Sequence, residues 1–160
     1  MTIKVGDRLP HAKLVKASAE GPQPVDTEEY FAGRKVALFS VPGAFTPTCS
    51  ARHLPGFVEK ADELKAKGVD EVACVAVNDA FVLQAWAASA GAEGKVTMLA
   101  DGNGEFAEAL GLTMDGSRFG LGKRGSRWSA IVDDGVVTEL NVEEPGAFSV
   151  SSAEFLLGQL

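Results

Sequence analysis

Two cysteines and two histidines are the side chains of this 160-residue chain best suited to making or breaking a covalent bond. Cys49 follows a tight Pro- and Gly-containing loop and stands where a helical pattern begins. The free N–H groups and positive dipole end of a helix favour a thiolate over a thiol there. A free thiol titrates near ~8.5, and each unit of lowering takes about 1.4 kcal/mol, so one dipole and one cation suffice to make the anion the major form at pH 7. Thr46, three residues earlier, can donate to the sulfur or position a bound molecule. His53, four residues later, can share the face of Cys49. A preformed thiolate needs no base, so His53 is assigned to a substrate wall or an interface. Pro55 cannot donate to the carbonyl of Ala51, so the turn carrying Cys49 should be kinked and weakly held, able to release an oxidised sulfur outward. The ordinary fate of a free cysteine is to pack as a small hydrophobe. That suits Cys74, inside Ala73-Cys74-Val75, but not Cys49, whose neighbours Pro42, Gly43, Thr46, Pro47 and Thr48 suit a shaped loop. No partner for His11 is legible.

The elements that must position these residues follow from hydropathy. Residues 35–41 (KVALFSV) and 71–77 (EVACVAV) are apolar runs that read as buried strands. Between them Leu54, Phe57, Val58, Ala61 and Leu64 recur at helical spacing, with charge opposite and Gly68 as the stop. Asp79 is an N-cap for a helix over 80–90. Residues 96–100 form a third strand, 105–110 a short helix, and 153–157 a last one. Strands at 128–132 and 136–142 flank Asp133-Asp134-Gly135, a hairpin turn signal. The alternation predicts an α/β sandwich of thioredoxin-like order, a mixed central sheet flanked by helices, as one domain over residues 1–160. Arg127 opens the 127–132 strand. It is either solvated or carried beside the Cys49 sulfur, and spacing alone does not choose.

Composition closes several alternatives. Lys+Arg 15 against Asp+Glu 22 gives a net charge of −7, which disfavours nucleic acid and anionic membrane surfaces. No apolar run approaches the ~20 residues of a membrane span, and the start has neither a signal peptide nor a presequence pattern, so a cytoplasmic location is expected. Two distant cysteines and two histidines supply neither Cys-x-x-Cys nor a metal cage. Gly120-x-Gly122-x-x-Gly125 matches the dinucleotide fingerprint in letters only, because no strand precedes it and a strand, not a helix, follows.

The run from Val41 to Ser50, continuing through His53-Leu54-Pro55-Gly56-Phe57, closely resembles the peroxiredoxin family, in particular its type-five, or type II, group. Pro42, Thr46 and Cys49 fill the motif P-x-x-x-T-x-x-C. The resemblance recurs at 77–82, 94–96, 99–101, 127–129 and 141–143. It implies that Cys49 is the peroxidatic nucleophile, that Arg127 depresses its ionisation and binds the peroxide oxygens, that Thr46 holds the peroxide in line, and that Pro42 shields the sulfur. It further implies a hydroperoxide substrate, no bound cofactor, and a homodimer, with Phe45 and Phe119 on that face or in the substrate pocket. Some type-five members carry a resolving cysteine near the C-terminus, where residues 146–154 here hold serines. Glutathione with glutaredoxin, or thioredoxin, is therefore the expected reductant. Two rivals remain. A cysteine hydrolase would need His11 or His53 as base and leaves Arg127 without purpose. A redox sensor or holdase would use Cys49 as a switch without turnover.

Overall fold

Runs whose apolar residues do not alternate with polar ones, such as 36–39 and 72–77, need cover on both faces, and the chain provides it. In the computed structural model, which describes residues 2–160, the chain begins with β1 (Lys13–Ala17), β2 (Gln23–Asp26) and α1 (Thr27–Phe31). Then come β3 (Lys35–Ser40), a π-helical turn at Cys49–His53, α2 (Leu54–Ala66), β4 (Glu71–Ala76), α3 (Ala80–Ala90), β5 (Thr97–Ala100) and α4 (Glu105–Leu110). The remainder is β6 (Thr113–Asp115), a 3₁₀ turn at Ser117–Phe119, β7 (Lys123–Gly125), β8 (Trp128–Asp133), β9 (Val136–Val142) and α5 (Ala153–Leu157). Seven strands form one sheet in the order β2-β1-β5-β4-β3-β8-β9, and β6 pairs with β7 apart from it. The pairs β3–β4 and β4–β5 are parallel, and the outer pairs antiparallel. This is the mixed, helix-flanked sheet expected.

Alternation along the central strands divides the core in two. Ala37, Phe39, Val72 and Cys74 face a cluster completed by Leu54, Phe57 and Leu64 of α2, Leu83 and Trp86 of α3, and Leu156 of α5. Val36, Leu38, Ala73 and Val75 face the other way, against Tyr30 and Phe31 of α1 and Phe106 and Leu110 of α4. Each fully buried Leu or Phe contributes about 1.5–3 kcal/mol. Asp79 caps α3, its Oδ1 accepting from the Val82 N–H at 2.8 Å. The Asp134-Gly135 turn has positive φ at both central residues, 49° and 82°, the type I′ geometry whose twist matches its strands.

Several boundaries differ from expectation. β3 and β4 each stop one residue early, and Arg127 lies just before β8 rather than opening it. Neither β1 nor β2 stands out in the sequence: they mix lysine, proline and aspartate with few apolar residues. The glycines at 120–125 lead into β7, so no dinucleotide turn forms. His11 does have a partner, the Asp26 carboxylate, which pushes its pKa up through a hydrogen bond and charge attraction.

Candidate active site

The loop after β3 delivers Cys49 to the start of a helix, because Pro42 and Gly43 end the strand and helical backbone resumes at Pro47. The first turn is irregular, as its proline foretold, and takes the form of a π-turn. The Leu54 N–H donates to the Cys49 carbonyl five residues back, and Pro55, next in line, has no N–H to give. Ser50 anchors this turn twice: its N–H donates to the Thr46 carbonyl at 2.9 Å and its Oγ accepts from the Trp86 indole N–H at 3.0 Å. Cys49 itself is 0% exposed.

Arg127 reaches this sulfur. Its Nη2 donates to Cys49 Sγ at 3.2 Å, so the choice left open by spacing is settled in favour of a guanidinium against the sulfur. A hydrogen bond from a charged donor of this kind is stronger than one from a neutral donor. The second arm of the guanidinium, Nη1, lies 2.8 Å from His53 Nδ1. Arginine can only donate, so Nδ1 is the acceptor and the ring proton sits on Nε2, 2.9 Å from the Ser151 carbonyl, to which it donates. Burial and the Arg127 charge push the His53 pKa down to about 3. His53 is therefore a neutral ring with both nitrogens occupied. Where a substrate wall was expected, the ring is 0% exposed and meets Arg127 and the Ser151 carbonyl, one at each nitrogen.

The Thr46 hydroxyl donates to the Gly43 carbonyl at 2.6 Å rather than to sulfur. Its hydrogen is committed, and its lone pairs remain to accept from a bound molecule. Pro42 presents its carbonyl to Arg124, whose Nη1 donates at 3.2 Å while its Nε holds the Leu121 carbonyl at 3.0 Å. Phe45 and Phe119 are 55% and 76% exposed and project into solvent rather than enclosing a pocket. Phe45 has φ of 63°, an unusual conformation for an aromatic residue. Burial, then the nearby Cys49 sulfur, push the Cys74 thiol well up, in keeping with a packing role.

Sequence reasoning missed Glu143, Phe148 and Ser151. The Phe148 ring lies 5.0 Å from the His53 ring and 5.8 Å from the Arg127 guanidinium, with Arg52 against it at 4.7 Å. A cleft of about 380 Å³ opens beside Phe148, between the π-turn and residues 148–154, and includes Arg52, Glu59 and Glu154. Glu143 is buried just past β9 and accepts from residues 149–151. Its one sequence signal is an inverted alternation, in which Asn141 and Glu143 face inward while Val142 is 41% exposed.

Residues 4–157 match the Redoxin family model. Peroxiredoxin-2E-2, chloroplastic, of Oryza sativa subsp. japonica is 56% identical over 99% of this chain and 73% of its own length. The crystal structure of reduced Prx3 in complex with H2O2 from Vibrio vulnificus superimposes with a TM-score of 0.95 at 52% identity, covering 99% of each chain. A Burkholderia cenocepacia structure described as a putative thioredoxin reductase has a TM-score of 0.96 at 48% identity, covering 100% of this chain and 99% of its own.

Proposed function

Since the chain belongs to the Redoxin family and is a peroxiredoxin, a thiol-dependent peroxidase of thioredoxin-like fold, we propose that Cys49 is its peroxidatic residue and that an external thiol, glutathione with glutaredoxin, completes its cycle as in a type-five, one-cysteine enzyme. The observation that carries this is the Arg127 guanidinium 3.2 Å from a sulfur in the first turn of a helix. The Cys49 thiolate attacks one oxygen of ROOH. The S–O bond forms as the O–O bond breaks, and the departing RO⁻ takes a proton to leave as ROH. Arg127 and the Cys49 N–H oppose the charge growing on that oxygen, and Thr46 accepts from the hydroperoxide O–H to keep the oxygens in line. The product, Cys49-SOH, condenses with glutathione to a mixed disulfide and water, and glutaredoxin takes the glutathionyl group.

The need for an external reductant rests on Cys74. It is fully buried on the central strand β4, its side chain packed in the core, and burial holds its thiol protonated, which makes it a poor resolving nucleophile. Arg52, in the cleft beside Phe148, offers a cation to a glutathione carboxylate. Thioredoxin is the competing reductant. A homodimer and a cytoplasmic setting belong to the same proposal, and exposed Phe45 and Phe119 are its candidate contact residues. Intact mass measurement decides the cycle. Peroxide plus glutathione should add one glutathione, at Cys49, and Cys49→Ser should add none. A Cys49–Cys74 disulfide as the main product would overturn it.

A further inference from the structure

Glu143 meets the Arg127 environment from two sides. Its backbone N–H donates to the Arg127 carbonyl at 3.0 Å, fixing the main chain from which the guanidinium extends. Its Oε2 accepts from three consecutive N–H groups, those of Ser149, Val150 and Ser151, at 2.7, 2.8 and 2.8 Å, and from the Ser151 hydroxyl at 2.7 Å. Burial alone would push this carboxyl up, but the hydrogen bonds from Ser151, Ser149 and Val150 outweigh it and hold the group below the usual carboxylate range. The segment so gathered carries the Ser151 carbonyl, acceptor for His53 Nε2, and the Phe148 ring that covers His53 and Arg127.

The hydrogen bonds close on themselves. Glu143 N–H donates to Arg127, Arg127 to His53, His53 to Ser151, and Ser151 back to Glu143, with a single branch from Arg127 Nη2 to Cys49 Sγ. We propose that Glu143 is the positioning residue of this circuit, and that by fixing the 148–151 strap it aims the guanidinium at sulfur and so sets the reactivity of Cys49. A guanidinium held at only one end would rotate about its long side chain, and a charged hydrogen bond weakens steeply with misalignment. Ser149 and Ser151 thereby gain a role: they serve the strap.

The proposal rests on Cys49 being the peroxidatic residue, and its test separates the two. Rates at pH 7 are measured on Glu143→Gln, His53→Gln, the double variant and the wild-type chain, with hydrogen peroxide and, separately, with iodoacetamide, which reports the thiolate without peroxide chemistry. Rates are normalised to folded protein by circular dichroism. Glu143→Gln is expected to slow both reactions roughly tenfold, the effect of one misaimed hydrogen bond, and the double variant to be no slower than the slower single, because both act through one circuit. NMR of the His53 ring should show the Nε2–H tautomer in the wild type and its loss in Glu143→Gln. Should Glu143→Gln fail to fold, Ser151→Ala, which removes one donor, is expected to slow both reactions about threefold. Wild-type rates with an altered melting temperature, or additive losses in the double variant, overturn the circuit. A wild-type chain inert to peroxide overturns the peroxidase assignment of Cys49 instead.

Discussion

Mild acid should destabilise this protein through His53. In the unfolded chain a histidine takes up a proton below about 6.5, whereas the folded ring, buried against Arg127, is held to about 3. The folded-state value is depressed, so the stability linked to His53 is fully present above 6.5 and is lost as pH falls toward 3. Between pH 7 and pH 5 the loss amounts to about 2 kcal/mol, and this figure depends on the unfolded value alone as long as the folded value stays below about 4. His11 works in the opposite sense. Asp26 raises its pKa, so its contribution is present below 6.5 and is lost as pH rises through the folded value. Asp7, Asp26, Glu108, Asp115 and Glu143 are held low, and they withdraw stability only at lower pH, as the carboxylates protonate. All of these are common to the wild-type chain and to His53→Gln, which offers an amide donor and acceptor in place of the ring. Urea denaturation of both at pH 7, 6 and 5 isolates the His53 effect by difference. The wild-type chain should lose about 2 kcal/mol more than the variant over this range. Parallel stability curves would refute a neutral, buried His53 and with it the tautomer on which the Arg127 contact depends.

Arg127→Ala removes the charged donor to sulfur and should slow peroxide reaction by about 10- to 100-fold, read by stopped flow. It also leaves His53 Nδ1 without a donor, so the melting temperature should fall as well. Thr46→Val should slow the peroxide reaction about tenfold and leave iodoacetamide alkylation unchanged, because the hydroxyl hydrogen goes to Gly43 and not to sulfur; equal loss in both assays would refute that division. Gly135→Ala places a Cβ 2.8 Å from Arg8 Nη1 at φ of 82°, and calorimetry should show about 1–2 kcal/mol lost with the peroxidase rate intact.

Pro42, Thr46 and Cys49 were legible because they sit within eight residues of one another, and the strands and helices around them because apolar runs and helical spacing are local signals. Arg127 is 78 residues from its sulfur, and no local pattern could pair them; the family resemblance did. The support behind Arg127 was hidden for a further reason. His53 is held by the carbonyl of Ser151, 98 residues away, and a carbonyl belongs to every residue alike. Read locally, a histidine one turn from a cysteine suggests a wall or an interface. Only the long-range geometry shows that both its nitrogens are spent on holding something else. Phe45 and Phe119, chosen for the dimer face or pocket that the resemblance implies, are exposed, at 55% and 76%.

The widened turn at Cys49–His53 stores one residue more than an ordinary helical ladder would hold. Letting that residue slip to the tighter register would rotate Cys49 by about 100° around the helix axis and advance it by about 1.5 Å. Such a twist would displace the sulfur from its contact with the guanidinium and alter the tether between Ser50 and the Trp86 indole. Emission from Trp86 would report such a change of register, because its indole N–H is bound to Ser50 inside the turn.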